Sequence, residues 1–251
     1  MRDVTLEEKA KSQGRDSARL ENRPLRLNLG CGLLTHPKWV NVDGSWNARL
    51  ARHPFLRKTL AGLNLLTPDK AGVPWSREIL IHDIRKPLPF PDSSAEAVYA
   101  SHVLEHLYRE QGQQLIAECF RVLMKGGIIR VVVPDLRAIV NEYVGEKRTG
   151  ETTQAQNGSP PADVFNERLL MRSSSPPKGN VLVRIYEAWQ DFHSHKWMYD
   201  EQSLAHLLRS GGFTDVIRRD YGESEIEGIT DVEDPSRILN GGGVCVEARK
   251  P

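Results

Sequence analysis

The chain has 251 residues, 39% of them hydrophobic and 27% charged, and its 34 Lys and Arg against 33 Asp and Glu leave a net charge of +1. That length supplies the core of one large α/β domain, with or without an appended lid. The near-zero charge exerts no long-range pull on nucleic acid or an anionic membrane, and the longest aliphatic run, IIRVVV, is broken by Arg130 and far too short to span a bilayer.

Residues 1–24 mix both charge signs with few large apolar groups and read as a flexible charged arm. LRLNLG is a first strand that stops at Gly30-Cys31-Gly32, and WVNVD is a second that ends on Asp43. Helix-compatible spacing over WNARLARHPFLRKTLAGLNLL, interrupted by Pro54, marks an insertion at about 45–75. EILIHDI is a third strand ending near Asp83, KPLPFPDSS a proline-rich turn, and AEAVYAS a fourth strand. Apolar residues then recur at helical spacing from Val103 to Leu123, and Gly126-Gly127 are expected to end that helical region. IIRVVVP is a fifth strand, apolar enough to be covered on both faces, followed by a helix over LRAIVNEYV.

Residues 145–180 are rich in Gly, Ser, Thr and Pro, with VFNERLLM as a short helix among them. Asp200 caps a helix EQSLAHLLRS that closes on Gly211-Gly212. TDVIRRDY and GGVCVEARK are final strands, joined by a long acidic loop and expected to pair antiparallel. Cys31, Cys119 and Cys245 are far apart, without a C-x-x-C pair, so neither a disulfide framework nor a cysteine metal site is expected. Together with an N-terminus that lacks a signal-peptide core, they fit a reducing cytoplasm.

Strands alternating with helices imply a mostly parallel sheet, in which ligands bind beyond the carboxyl ends of the strands. Gly30 and Gly32 end the first strand, Asp43 the second, Asp83 the third, Ser101 and His102 the fourth, and Pro134 and Asp135 the fifth. Such a set suits a nucleoside-bearing cofactor: glycine admits the backbone close to it, one carboxylate binds ribose hydroxyls, and another accepts from an exocyclic amine. It is not a dinucleotide fingerprint, because Thr35 stands where the third glycine of G-x-G-x-x-G belongs, and no G-x-x-x-x-G-K-[ST] loop exists.

LNLGCG, VNVD, DIRKPLPFPDSS, VYASHVLEH and ECFRVLMKGGIIRVVVPDL, in this order, resemble the class I S-adenosylmethionine-dependent methyltransferases, in particular the type 11-like branch. The resemblance covers roughly residues 25–136, with a weaker echo through HKWMYDEQSLAHLLRSGGF. It implies a Rossmann-like α/β fold, with a mostly parallel seven-stranded sheet, helices on both faces and an antiparallel strand near the C-terminus. One domain is expected over 25–251, with the insertions at about 45–75 and 145–198 forming a lid. S-adenosylmethionine is the cofactor so implied, with Gly30, Cys31 and Gly32 under its methionyl part, Asp43 at the ribose, Asp83 and Ile84 beside the adenine, and Ser101 facing the sulfonium. The segment between Gly32 and the second strand is too short for a full crossover helix, a departure from the family pattern.

A sulfonium methyl is already activated, so the protein has to align an acceptor with it and exclude water. A hydroxyl or ammonium acceptor must also lose a proton, and a histidine titrating near pH 6.5 suits that task. His102 is the first candidate base and His195 the second, although His102 reads equally as a neutral histidine that shapes the pocket. Asp43 and Asp83 read otherwise as strand-end caps; His193, His195 and Tyr199, and the aromatic cluster Tyr186, Trp189, Phe192 and Trp197, read otherwise as packing. His102-Val103-Leu104-Glu105-His106 also fits the H-x-x-E-H metallopeptidase pattern, which needs a helix through all five residues. Because His102 directly follows a strand, zinc hydrolysis is the lesser alternative, a non-catalytic S-adenosylmethionine-binding protein is another, and no metal is assigned. The acceptor expected is a small molecule or glycan precursor, with no nucleic-acid or membrane partner, and the sequence carries no signal for an oligomeric state.

Overall fold

The computed structural model describes residues 24–62, 73–149, 161–170, 194–239 and 243–251. Nearly all of the expected charged arm, the middle of both expected insertions, His193, Tyr186, Trp189 and Phe192 lie outside the described residues.

One sheet contains β1 (Leu25–Leu29), β2 (Val40–Asp43), β3 (Leu80–Ile81), β4 (Ala95–Ser101), β5 (Leu123–Val133), β6 (Thr214–Arg218) and β7 (Val244–Arg249), in the order β3-β2-β1-β4-β5-β7-β6. The first five strands run parallel, and β7 is antiparallel to both β5 and β6. This is the expected Rossmann-like architecture, and its strand order reverses between β1 and β4. In open sheets of this kind ligands bind beyond the carboxyl ends of the strands at such a switch point, which places the candidate site at the β1 and β4 tips. Helices α1 (Trp46–Ala51), α2 (Pro54–Gly62), α3 (Arg109–Val122), α4 (Leu136–Thr149), α5 (Pro161–Leu169) and α6 (Glu201–Ser210) complete the described elements, with three short 3-10 turns.

The side-chain alternation of the central strands divides the core in two. Val98 and Ala100 of β4, Ile129, Val131 and Val133 of β5, and Val244 and Val246 of β7 pack with Leu115, Ile116 and Cys119 of α3 and Leu204 and Leu208 of α6. Each buried Val, Leu or Ile among them contributes about 1.5–3 kcal/mol. On the opposite face Tyr99, Val132 and Cys245 meet Ile226, Ile229, Val232 and Ile238, all from the segment joining β6 to β7. The acidic connection of the sequence is therefore a layer over the sheet.

The charge of that connection has a physical reason. Arg130 occupies the β5 position that the alternation turns toward this layer, and it is fully buried. Its Nε donates to Glu233 Oε1 at 2.7 Å, and its Nη1 donates to Glu247 Oε1 at 2.9 Å. The carbonyls of Asp220 and Glu223 accept from the same guanidinium. A cation inside a sheet needs such compensation, because desolvating it alone costs several kcal/mol.

Four expectations about local structure shift. The helical region after β4 begins at Arg109, since residues 102–108 form a corner with a 3-10 turn over Leu104–His106 and extended backbone at Leu107 and Tyr108. Gly126 and Gly127 lie inside β5: Leu123 pairs with Ala95 directly after α3, and Lys250 exchanges backbone bonds with both glycines. The third strand shrinks to two residues because β2 offers only Val42 and Asp43 as partners. Trp197, read as packing, is 41% exposed, with the Arg109 guanidinium 5.3 Å from its ring centre. As expected, Asp200 caps α6, accepting from Ser203 N at 2.9 Å while Ser203 Oγ accepts from the Asp200 N–H. No helix of the described residues is long and apolar enough to cross a membrane.

Candidate active site

The β1 tip turns through two glycines in left-handed backbone, Gly30 at φ +64° and Gly32 at φ +54°. Gly30 is needed for a second reason: a Cβ there would lie 2.4 Å from Val103 Cγ2, so the β1 tip and the β4 corner touch backbone to side chain. At Gly32 a Cβ would meet nothing within 4 Å, leaving an open face on which a ligand can lie. The Cys31 N–H donates to the Val42 carbonyl and the Gly32 N–H to Asp43 Oδ2, at 3.1 and 3.0 Å. Both amides thus tie the glycine turn to β2. Residues 30–39 form turns without a helix, as the length of the segment required.

Asp43 is buried at the end of β2, and its other oxygen, Oδ1, accepts from Ser45 N at 2.7 Å. Burial, then the Asp43 carboxylate, push the Cys31 thiol up to about 12, so Cys31 is a small buried residue without nucleophilic character. Past β3, Asp83 is gripped by Arg85 in a fork, with Nε to Oδ1 at 2.9 Å and Nη2 to Oδ2 at 2.8 Å. The Arg85 guanidinium holds the Asp83 carboxyl below the usual carboxylate range. Ile84 is half-buried against the main core. Gly44, which the sequence reading passed over, lets the β2 and β3 tips meet: a Cβ there would stand 2.4 Å from the His82 carbonyl oxygen.

Ser101 closes β4 and is buried under Arg237, whose Nη1 donates to the Ser101 carbonyl at 3.2 Å and reaches its Oγ at 3.3 Å. Arg237 comes from the layer between β6 and β7, and nothing local in the sequence marks it. His102 follows in left-handed backbone, φ +55°, a conformation uncommon for a residue with a side chain. Its N–H donates to the Val132 carbonyl at 2.9 Å, and its Nδ1 stands 3.1 Å from Oε1 of the fully buried Glu105. This corner prevents the helix that H-x-x-E-H metallopeptidase geometry requires.

His195 arrives from the far side of the chain. The backbone amides of Lys196 and Trp197 donate to the Glu105 carbonyl, at 2.7 and 3.2 Å, and hold the 194–199 segment over the corner. His195 is buried, its ring centre 5.0 Å from that of His106, and burial, opposed by the Glu105 carboxylate, lowers its pKa. Tyr199 bridges to Asp135 beyond β5, and burial, then Glu105, push its hydroxyl up to about 12. The candidates thus fall into two groups. Gly30, Cys31, Gly32, Asp43, Asp83 and Ile84 line the β1–β3 tips, whereas Ser101, His102 and His195 gather beyond β4. Glu105, singled out in the sequence only within the H-x-x-E-H pattern, lies between His102 and His195 in the second group.

The sheet order defines a Rossmann-like α/β protein whose candidate site lies at the strand tips. Residues 57–131 match the family model of the methyltransferase domain. A stretch of 48 residues is 44% identical to a probable S-adenosylmethionine-dependent methyltransferase of Mycolicibacterium smegmatis. The resemblance drawn from the motifs is borne out by these two matches. The second spans 19% of this chain and about a fifth, 18%, of that relative's length. Among solved structures the chain is similar to an S-adenosylmethionine-dependent methyltransferase of Thermotoga maritima, described as a possible histamine N-methyltransferase (16% identity, 96% of this chain and 88% of that one, TM-score 0.42). It is also similar to an S-adenosylmethionine-dependent methyltransferase of Archaeoglobus fulgidus (17% identity, 97% and 94%, TM-score 0.41).

Proposed function

We propose that this chain is an S-adenosylmethionine-dependent methyltransferase that transfers a methyl group to an oxygen or nitrogen of a small-molecule or glycan-precursor acceptor. The observation that carries the reading is the meeting of the β1 glycine turn with Asp43 of β2 and Val103 beyond β4, beside the open face at Gly32, in a sheet whose β3, β4 and most of β5 fall within the stretch that matches the methyltransferase domain. When bound, the cofactor supplies an activated methyl group on a sulfonium. Gly30, Cys31 and Gly32 would pass beneath its methionyl part, Asp43 would bind the ribose hydroxyls with the lone pairs left over from Gly32 and Ser45, and Asp83 and Ile84 would flank the adenine. Ser101 and His102 would border the reacting end.

His102 is assigned as the base. Its Nδ1 lies 3.1 Å from Glu105 Oε1, and Nε2, buried and without a hydrogen-bond partner, is the nitrogen that would take a proton from the acceptor. The left-handed backbone that swings His102 off the strand is strain of the kind that collects at functional sites. A near-neutral overall charge favours a metabolite over nucleic acid, and three separately buried free cysteines suit a cytoplasmic location.

Calorimetric titration with S-adenosylmethionine, its demethylated product and NAD tests the cofactor: binding of the first two and not of the third is expected. His102→Ala should then slow methyl transfer by about 10²–10⁴-fold while leaving cofactor affinity within about twofold. Unchanged turnover in that variant would remove the base assignment. Failure of both nucleosides to bind would remove the whole reading.

A further inference from the structure

Glu105 lies at zero exposure, yet neither of its carboxylate oxygens has a hydrogen-bond partner. A buried carboxylate needs a cation or several donors, because water no longer solvates it. Three histidine nitrogens surround it, and the Tyr199 hydroxyl, also buried without a partner, feels its charge. His102 Nδ1 is 3.1 Å and His106 Nε2 3.9 Å from Oε1, and the buried Nδ1 of His195 is without a partner. Glu105, His106 and His195 bring one donor atom each to within 4.8 Å of one another.

His106 is held as metal ligands usually are. His106 Nδ1 lies 3.3 Å from the Ser194 carbonyl, which turns Nε2 toward Glu105. The His195 backbone amide donates to the Leu170 carbonyl at 2.8 Å, and the buried ring Nδ1 has no hydrogen-bond partner. Anchoring one ring nitrogen on a carbonyl fixes the tautomer so that the other presents a lone pair.

We propose that Glu105, His106 and His195 bind one divalent transition-metal ion, zinc being the chemistry that fits best. Two imidazoles and one carboxylate are a three-ligand set with a fourth position left open. Such donors stand about 3.4 Å apart around a tetrahedral zinc, so binding draws the 3.9 Å pair and the third ligand slightly inward. The ion would neutralise the buried carboxylate and clamp the 194–199 segment to the β4 corner. His102 stays outside the ligand set, on the carboxylate oxygen, and His195 becomes a ligand in place of a second base. The site differs from H-x-x-E-H chemistry, since His102 is not a ligand and the third ligand comes from a distant segment.

The test uses tag-free full-length protein, stripped with a chelator and titrated with zinc by calorimetry, with elemental analysis of the reloaded sample. One equivalent is expected, with affinity lowered more than about 100-fold in His106→Ala and in His195→Ala, since even partners that only orient a ligand cost 10–100-fold. The ring of His106 is partly exposed, so its variant is expected to fold, as circular dichroism would verify, and it decides the matter if His195→Ala does not. Binding of less than half an equivalent, or affinity unchanged in a folded His106→Ala, would overturn the proposal. S-adenosylmethionine titrated into the same samples fails or succeeds independently of zinc, so the two readings are separable.

Discussion

Replacing Gly30 with alanine attacks the contact that brings the glycine turn and the His102 corner together. At φ +64° a residue with a Cβ loses about 1–2 kcal/mol relative to ordinary backbone. The new Cβ also lands 2.4 Å from Val103 Cγ2, over about 1 Å inside the separation at which carbons rest. Relieving that overlap in a packed corner costs about 1–3 kcal/mol, for a total of about 2–5 kcal/mol, against a whole-domain stability of about 5–15 kcal/mol. The two parts separate in a double-mutant cycle. Val103→Ala alone should cost about 1–2 kcal/mol for the buried methyl groups it deletes. Combined with Gly30→Ala it removes the overlap and leaves the backbone strain, so the pair should be less destabilised than the sum by about 1–3 kcal/mol. Urea denaturation of the four proteins, at a common m-value, measures this coupling. A coupling within about 0.5 kcal/mol of zero would refute the claim that Gly30 is required by close approach to Val103.

Arg130→Met should destabilise the domain by about 3–5 kcal/mol, because Glu233 and Glu247 are left buried without their cation; denaturation midpoints check this, and a loss below about 1 kcal/mol would contradict it. Asp83 has a folded pKa depressed by Arg85, so the pair's contribution is present above about pH 3.9 and lost as pH falls through the lower folded value. Arg85→Ala should therefore cost about 0.5 kcal/mol at pH 7, modest because the pair is partly exposed, and nothing once acid has protonated Asp83 in both proteins. With its thiol pushed up to about 12, Cys31 exposes on the order of one thiolate in ten thousand at pH 8. Peptide mapping after iodoacetamide treatment should find Cys31 unlabelled in the folded protein and labelled after denaturation.

The sheet was legible because strand periodicity and chain punctuation are local. LRLNLG, VNVD and AEAVYAS announce their strands through apolar runs that stop on glycine, aspartate or serine, and the α/β topology then requires those stops to share one edge. Asp200 as a cap was equally local, since a capping box spans only four residues. Helix boundaries near His102 were not legible: the spacing of Val103, Leu104 and Leu107 satisfies a helix, whereas in the fold the His102 amide bonds the Val132 carbonyl and the Glu105 carbonyl accepts from Lys196 and Trp197, bonds to distant segments that accompany the corner.

What the sequence determined by itself is the set of strand tips and the residue types they present, because both follow from neighbours along the chain. What the tertiary structure alone decided is which distant groups neutralise one another. Arg130 meets Glu233 across 103 residues, and Glu105 meets His195 through a segment held by backbone bonds to its own carbonyl. A buried charge forces a partner but leaves its position in the chain open, since any loop long enough to reach can deliver it.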